Sequence, residues 1–196
     1  MARTGGWKFL SYLVTVLLLA GVLAAGGVIY LQQQPPTMIL LVRQAERQDA
    51  SPAPGECPQP GLGLQTSTGT SITEVGRERA SQLAHVVGEA GVSAIYVSEV
   101  CRSQWTAKPL ADRTGAPVVQ LNAADMQGLV NHIREDQRGR TVLVSSHTDR
   151  IPQIISALGA SPAPAVADTD YDNLWVITVP RFGRPRLMLL KYGRET

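Results

Sequence analysis

The chain opens with a long apolar block and then alternates short apolar runs with amphipathic stretches. FLSYLVTVLLLAGVLAAGGVIYL, from Phe9 to Leu31, is 23 residues without a charge. About 20 apolar helical residues cross the hydrocarbon core of a bilayer, so this block predicts a transmembrane helix. Gln32-Gln33-Gln34-Pro35-Pro36 cannot continue a helix and predicts a short stiff linker. Met38-Ile39-Leu40-Leu41-Val42 then reads as a strand covered on both faces, and similar runs recur at Ala94–Val97, Thr141–Val144 and Leu174–Val179. Between them, Val75, Ala80, Leu83, Ala84 and Val87 fall on one helical face, and Ser71 with Glu74 fits a capping box. Trp105 to Arg113, Ala124 to Glu135 and Ile151 to Leu158 are the other expected helices. Leu174–Val179 and Arg186–Lys191, around Arg181-Phe182-Gly183-Arg184, read as a hairpin at a sheet edge.

Strands alternating with helices imply βαβ units. The expected fold class is α/β, a three-layer α/β/α sandwich with a mostly parallel central sheet, preceded by one N-terminal transmembrane helix. The division is a flank at 1–8, an anchor at 9–31, a linker at 32–37 and a folded domain at 38–196. Gln48 to Thr70 is rich in Pro, Gly, Ser and Thr and reads as a long loop.

Charge sharpens this picture. The 196 residues carry 18 Lys and Arg, 16 Asp and Glu and 3 His. Arg3 and Lys8 precede the apolar block and no acid does, so the remainder is formally neutral and lacks the basic excess that nucleic-acid binding requires. Eighteen glycines without a triplet period and only 2 cysteines exclude collagen-like and disulfide-dense classes. Basic flanks stay inside, which puts the N-terminus in the cytoplasm and the domain in the periplasm or otherwise outside the cytoplasm, with Trp7 and Tyr30 as interfacial aromatics. A cleaved signal is the competing expectation, since Leu23-Ala24-Ala25 resembles a cleavage site. The domain is exported on either reading. Cys57 and Cys101 are free to pair in an oxidising compartment or to be two unrelated small side chains.

In an open α/β sheet, ligands sit beyond the carboxyl ends of the strands. There the sequence places Arg43-Gln44-Ala45-Glu46-Arg47, then Ser98-Glu99-Val100-Cys101-Arg102, then Ser145-Ser146-His147-Thr148-Asp149-Arg150. Arginines converging on one point fork onto a tetrahedral anion, and a histidine adds a further donor. The residues therefore predict a phosphate or phosphoester pocket. His85 and His132 lie within helical patterns without metal-ligand spacing, so neither a metal nor a cofactor is expected.

MILLVRQAER, ITEVGRERASQLA, IYVSEVCRSQWTAKPLA, VLVSSHTDRIPQII and YDNLWVITV together resemble the histidine phosphatase superfamily (phosphoglycerate mutase-like), over nearly all of Met38 to Gly193. The resemblance implies that Arg43 and Arg102 clamp a phosphate and that His147 supports charge on the phosphoryl group. It also implies that Gln44 occupies the position of the nucleophilic histidine. Ser146 and Asp149 depart from the glycine and asparagine common at their positions, and Asp125 and Asp149 are candidate proton donors.

An amide nitrogen has its lone pair delocalised into the carbonyl and does not attack phosphorus. The expected function is thus a membrane-anchored pseudophosphatase that binds phosphate or a phosphorylated small molecule. Two alternatives stand beside it: an active phosphomonoesterase using water held by Gln44, and a non-catalytic subunit of an envelope complex with a membrane-protein partner.

Overall fold

The computed structural model describes residues 5–49, 57–58 and 68–196. Arg3 and most of the loop expected from Gln48 to Thr70 lie outside the described residues. The chain divides into two compact units, the first ending at Pro35 and the second starting at Pro36.

The first unit holds helix α1, Gly5–Gln32. Its apolar span, Phe9–Leu31, has a mean hydropathy of 2.4 and none of it is buried within protein. At 1.5 Å per residue, 23 residues cover about 35 Å, a little more than the roughly 30 Å of a bilayer core. The chain turns at Gln33, whose N–H donates to the carbonyls of Ile29 and Tyr30.

The second unit is the α/β domain, built from β1 (Thr37–Arg43), α2 (Glu74–Val87), β2 (Val92–Ser98), α3 (Cys101–Thr114), β3 (Val118–Leu121), α4 (Met126–Glu135), β4 (Thr141–Ser146), α5 (Ile151–Ala157), β5 (Asn173–Val179) and β6 (Arg186–Lys191). The sheet order is β3-β2-β4-β1-β5-β6. β1 to β4 run parallel, and β5 and β6 close one side as an antiparallel pair.

Side chains alternate across a strand, so the apolar runs divide between two cores. Ile39, Leu41, Tyr96, Val142 and Val144 face α4 and α5. Leu40, Val42, Ile95, Val97 and Leu143 face α2 and α3. The continuous apolar character of these strands is the mark of a sheet covered on both faces.

Three local expectations are corrected. The cap of α2 is Thr73, whose side chain accepts from the Gly76 N–H, and Ser71 is buried one residue before the pair Ile72-Thr73. A buried hydroxyl at Ser71 cannot reach the first turn. The inward face of α2 includes Gly76 and Arg79, while Val75 is exposed. Gly76 is required there, because a Cβ would stand 2.8 Å from the Glu46 carbonyl oxygen. Strand β3 was not expected. It has four residues and only Gln120 among them is fully buried, so it shows neither a long run nor alternation.

Candidate functional site

Parallel pairing brings three strand ends together. Arg43 at the end of β1 lies opposite Ser146 at the end of β4, and β2, ending at Ser98, is the other neighbour of β4. The Gln44 N–H donates to the Ser146 carbonyl at 2.8 Å, which carries the β1–β4 ladder one residue past the strand. Thr106 on α3 accepts from the Ala45 N–H at 2.8 Å and donates to the Arg102 carbonyl at 2.7 Å. Ser103 donates to the Ser145 carbonyl at 2.6 Å. Two hydroxyls on one helix thus tie the loops after β1 and β2 to the end of β4.

The resulting cavity, about 730 Å³, is lined by Arg43, Gln44, Arg47, Arg102, His147 and Asp149 among others. Gln44 is buried in its lining. With its amide nitrogen turned toward β4, Gln44 donates to the Ser146 carbonyl at 2.9 Å and to Nδ1 of His147, and its oxygen accepts from Nε of Arg102 at 3.1 Å. Only this orientation gives every donor an acceptor. His147 Nε2 lies 2.9 Å from the Ser98 hydroxyl. With Nδ1 accepting, the imidazole is the neutral Nε2–H tautomer and donates to Ser98.

Arg43 is 5% exposed. Its Nη1 donates to the Ala167 carbonyl at 3.1 Å, its guanidinium lies 4.0 Å from the centroid of the Tyr171 ring, and Nη2 is 3.9 Å from Asp168. Its Nε is buried without a partner among the described residues. Burial, then the charges of Arg47 and Arg43, pull the Arg102 pKa below its ordinary value. Burial, then the charge of Arg102, does the same to His147.

The expected residues Arg43, Gln44, Arg102, His147 and Asp149 meet in this cavity, and Asp125 does not. Asp125 is the N-cap of α4, accepting from the Gly128 N–H at 2.8 Å. It lines a separate, smaller cavity with Ser98, Ser145 and Ser146. Glu46, next to Arg47, takes the buried Arg79 guanidinium at 2.7 Å. The 167–171 loop, Ser98, Ser103 and Thr106 also shape the site, and of these the sequence points only to Ser98, in the strand-end cluster. Cys57 and Cys101 form a disulfide, with Cα atoms 5.2 Å apart, next to Arg102.

Residues 39–125 match the histidine phosphatase superfamily (branch 1). That stretch is histidine phosphatase-like. Solved structures with the same fold include a mycobacterial glucosyl-3-phosphoglycerate phosphatase, at 15% identity and a TM-score of 0.59, covering 81% of this chain and 100% of that one. A phosphohistidine phosphatase SixA from Agrobacterium tumefaciens shares 17% identity with a TM-score of 0.55, covering 82% and 99%. The α-ribazole phosphatase from Shigella flexneri shares 16% with a TM-score of 0.58, covering 81% and 100%. No curated protein matches in sequence. As a histidine phosphatase-like domain, the chain presents its cavity at the carboxyl ends of parallel strands, where an open α/β sheet holds ligands.

Proposed function

We propose that this protein is a membrane-anchored pseudophosphatase that binds a phosphate or phosphoester group without forming phosphohistidine. The observation that carries the reading is the Gln44 amide, which follows the strand-ending Arg43 and is hydrogen-bonded to Ser146, His147 and Arg102 at once. An amide nitrogen in this position has both N–H groups committed and no lone pair to offer phosphorus.

Anion binding is supported by Arg102, which has no carboxylate partner among the described residues, and by Arg43 and His147 in the same cavity. Tungstate bound to a SixA phosphatase and vanadate bound to the mycobacterial phosphatase are phosphate-like oxyanions on the same fold. An anion oxygen is able to take the His147 Nε2–H from Ser98. Membrane anchoring is supported by the Phe9–Leu31 span. An N-terminus in the cytoplasm follows from the basic flank of Arg3 and Lys8. A domain on the oxidising side is supported by the Cys57–Cys101 disulfide.

The test is hydrolysis of a phosphomonoester by the detergent-solubilised chain, with Arg43→Ala as background. The wild type is expected to match the background and Gln44→His to exceed it. Wild-type turnover of about 1 per second or more would overturn the reading in favour of water held by Gln44. An inert Gln44→His variant that phosphate does not stabilise would favour a non-catalytic envelope subunit, because a ligand that binds only the native state must raise its stability. Carbonate extraction tests the anchor.

A further inference from the structure

Arg47 is exposed on the wall of the cavity. Its backbone is held on both sides: Arg47 bridges to Ile72, the Thr73 N–H donates to the Glu46 carbonyl at 2.8 Å, and the Gln48 N–H donates to the Ser71 carbonyl at 2.9 Å. Among the described residues its guanidinium has no hydrogen-bond or ion-pair partner. Arg102 is equally well anchored, by the disulfide at Cys101 and by Thr106. Gln44 uses its Nε and leaves the two Nη groups unpartnered among the described residues.

The nearby acids are engaged elsewhere. Glu46 is held by Arg79, Asp149 lies 3.5 Å from Arg150, Asp168 is 3.9 Å from Arg43, and Glu99 accepts from the Ala123 N–H. Two cationic forks on fixed backbones therefore line one cavity, and neither is ion-paired to a carboxylate among the described residues. Arg47 is the largest charge effect on Arg102, after burial, in holding its pKa below the ordinary value, and an anion between the two would offset that repulsion. One oxyanion at the buried end, against His147 and Arg102, leaves Arg47 unused. The cavity, about 730 Å³, lies within the ~300–1,000 Å³ range of small-molecule sites and has room for more than one such group.

Resting on the proposed phosphate-binding function, we propose that Arg47 and Arg102 form a second anion subsite at the mouth of the cavity, so that the ligand carries two phosphate-type groups. Arg102 bridges the two subsites and Arg47 selects for the outer charge.

The test is calorimetric titration of the detergent-solubilised full chain with inorganic phosphate and with pyrophosphate, in wild type, Arg47→Ala, Arg47→Lys and Arg186→Ala. Pyrophosphate is expected to bind the wild type at least about tenfold more tightly than phosphate, the scale of one added charge-assisted hydrogen-bonded pair. Arg47→Ala collapses that ratio and leaves phosphate binding nearly unchanged, and Arg47→Lys restores part of it. Arg186→Ala removes the same charge at the far sheet edge and keeps the ratio. Equal wild-type affinities, or an equal loss of both ligands in Arg47→Ala, would overturn the subsite while phosphate binding itself stands. Failure of both ligands to bind the wild type would overturn the subsite together with the phosphate-binding function beneath it.

Discussion

Nδ1 of His147 accepts a hydrogen bond from the side-chain amide of Gln44, which leaves the ring proton on Nε2, 2.9 Å from the Ser98 hydroxyl. Protonating His147 would set two donors face to face. Burial and then the Arg102 charge push in the same direction, holding the folded-state pKa below the ordinary 6.5. As pH falls below 6.5 the unfolded chain takes up this proton before the folded one does. The contribution of His147 to stability is therefore complete above 6.5 and is lost from there down to its folded-state pKa. Thermal unfolding between pH 7.5 and 5 should show a steeper loss in the wild type than in His147→Asn; identical slopes would show that His147 titrates normally.

Gln44→Glu should reverse that behaviour. A carboxylate beside the imidazole favours the charged ring and raises the pKa of His147. A proton-NMR titration of the His147 ring should place its midpoint above that of the wild type. An unchanged midpoint would mean that residue 44 does not touch the ring.

Arg79 is 1% exposed and is held by Glu46 through three hydrogen bonds, with further bonds to the carbonyls of Tyr192 and Arg194. Glu46→Ala strands this buried cation. The expected loss is about 3–5 kcal/mol, the usual scale for removing one partner of a buried pair, read from denaturant midpoints. A loss under about 1 kcal/mol, typical of a surface pair, would show that the pair is solvated.

The Cys57–Cys101 bridge closes a span of 44 residues. Removing it as Cys57→Ser/Cys101→Ser should cost about 2–4 kcal/mol, mostly through a freer unfolded chain. Cys101 immediately precedes Arg102, so thermal stabilisation by phosphate should also weaken. If phosphate stabilises the double variant as well as the wild type, Thr106 alone suffices to hold Arg102.

Much of the fold was legible because its signals are local. β1, β2, β4 and β5 announced themselves as apolar runs, since both faces of the sheet are covered by helices. β3 did not, because its buried Gln120 is polar and is satisfied by Gln104. The inward face of α2 was misread for a related reason. Arg79 looks like a solvent-facing residue until Glu46, 33 residues earlier, neutralises it. Asp125 looked like a possible acid and proved to be a helix cap, a role that depends only on its first-turn neighbour Gly128.

By itself, the sequence determined the apolar span, the order of the strands and helices other than β3, and the strand-end positions of Arg43, Gln44, Arg102 and His147. These follow from periodicity and spacing within short windows. Only the tertiary structure decided that Gln44 bonds Ser146, His147 and Arg102, that Arg43 is taken up by the 167–171 loop, that the two cysteines pair, and that Arg47 has no partner among the described residues. Those outcomes depend on contacts between residues far apart in sequence, such as Arg43 and Asp170, 127 positions apart. Such partners are chosen by strand order and register, which no local window of the chain contains.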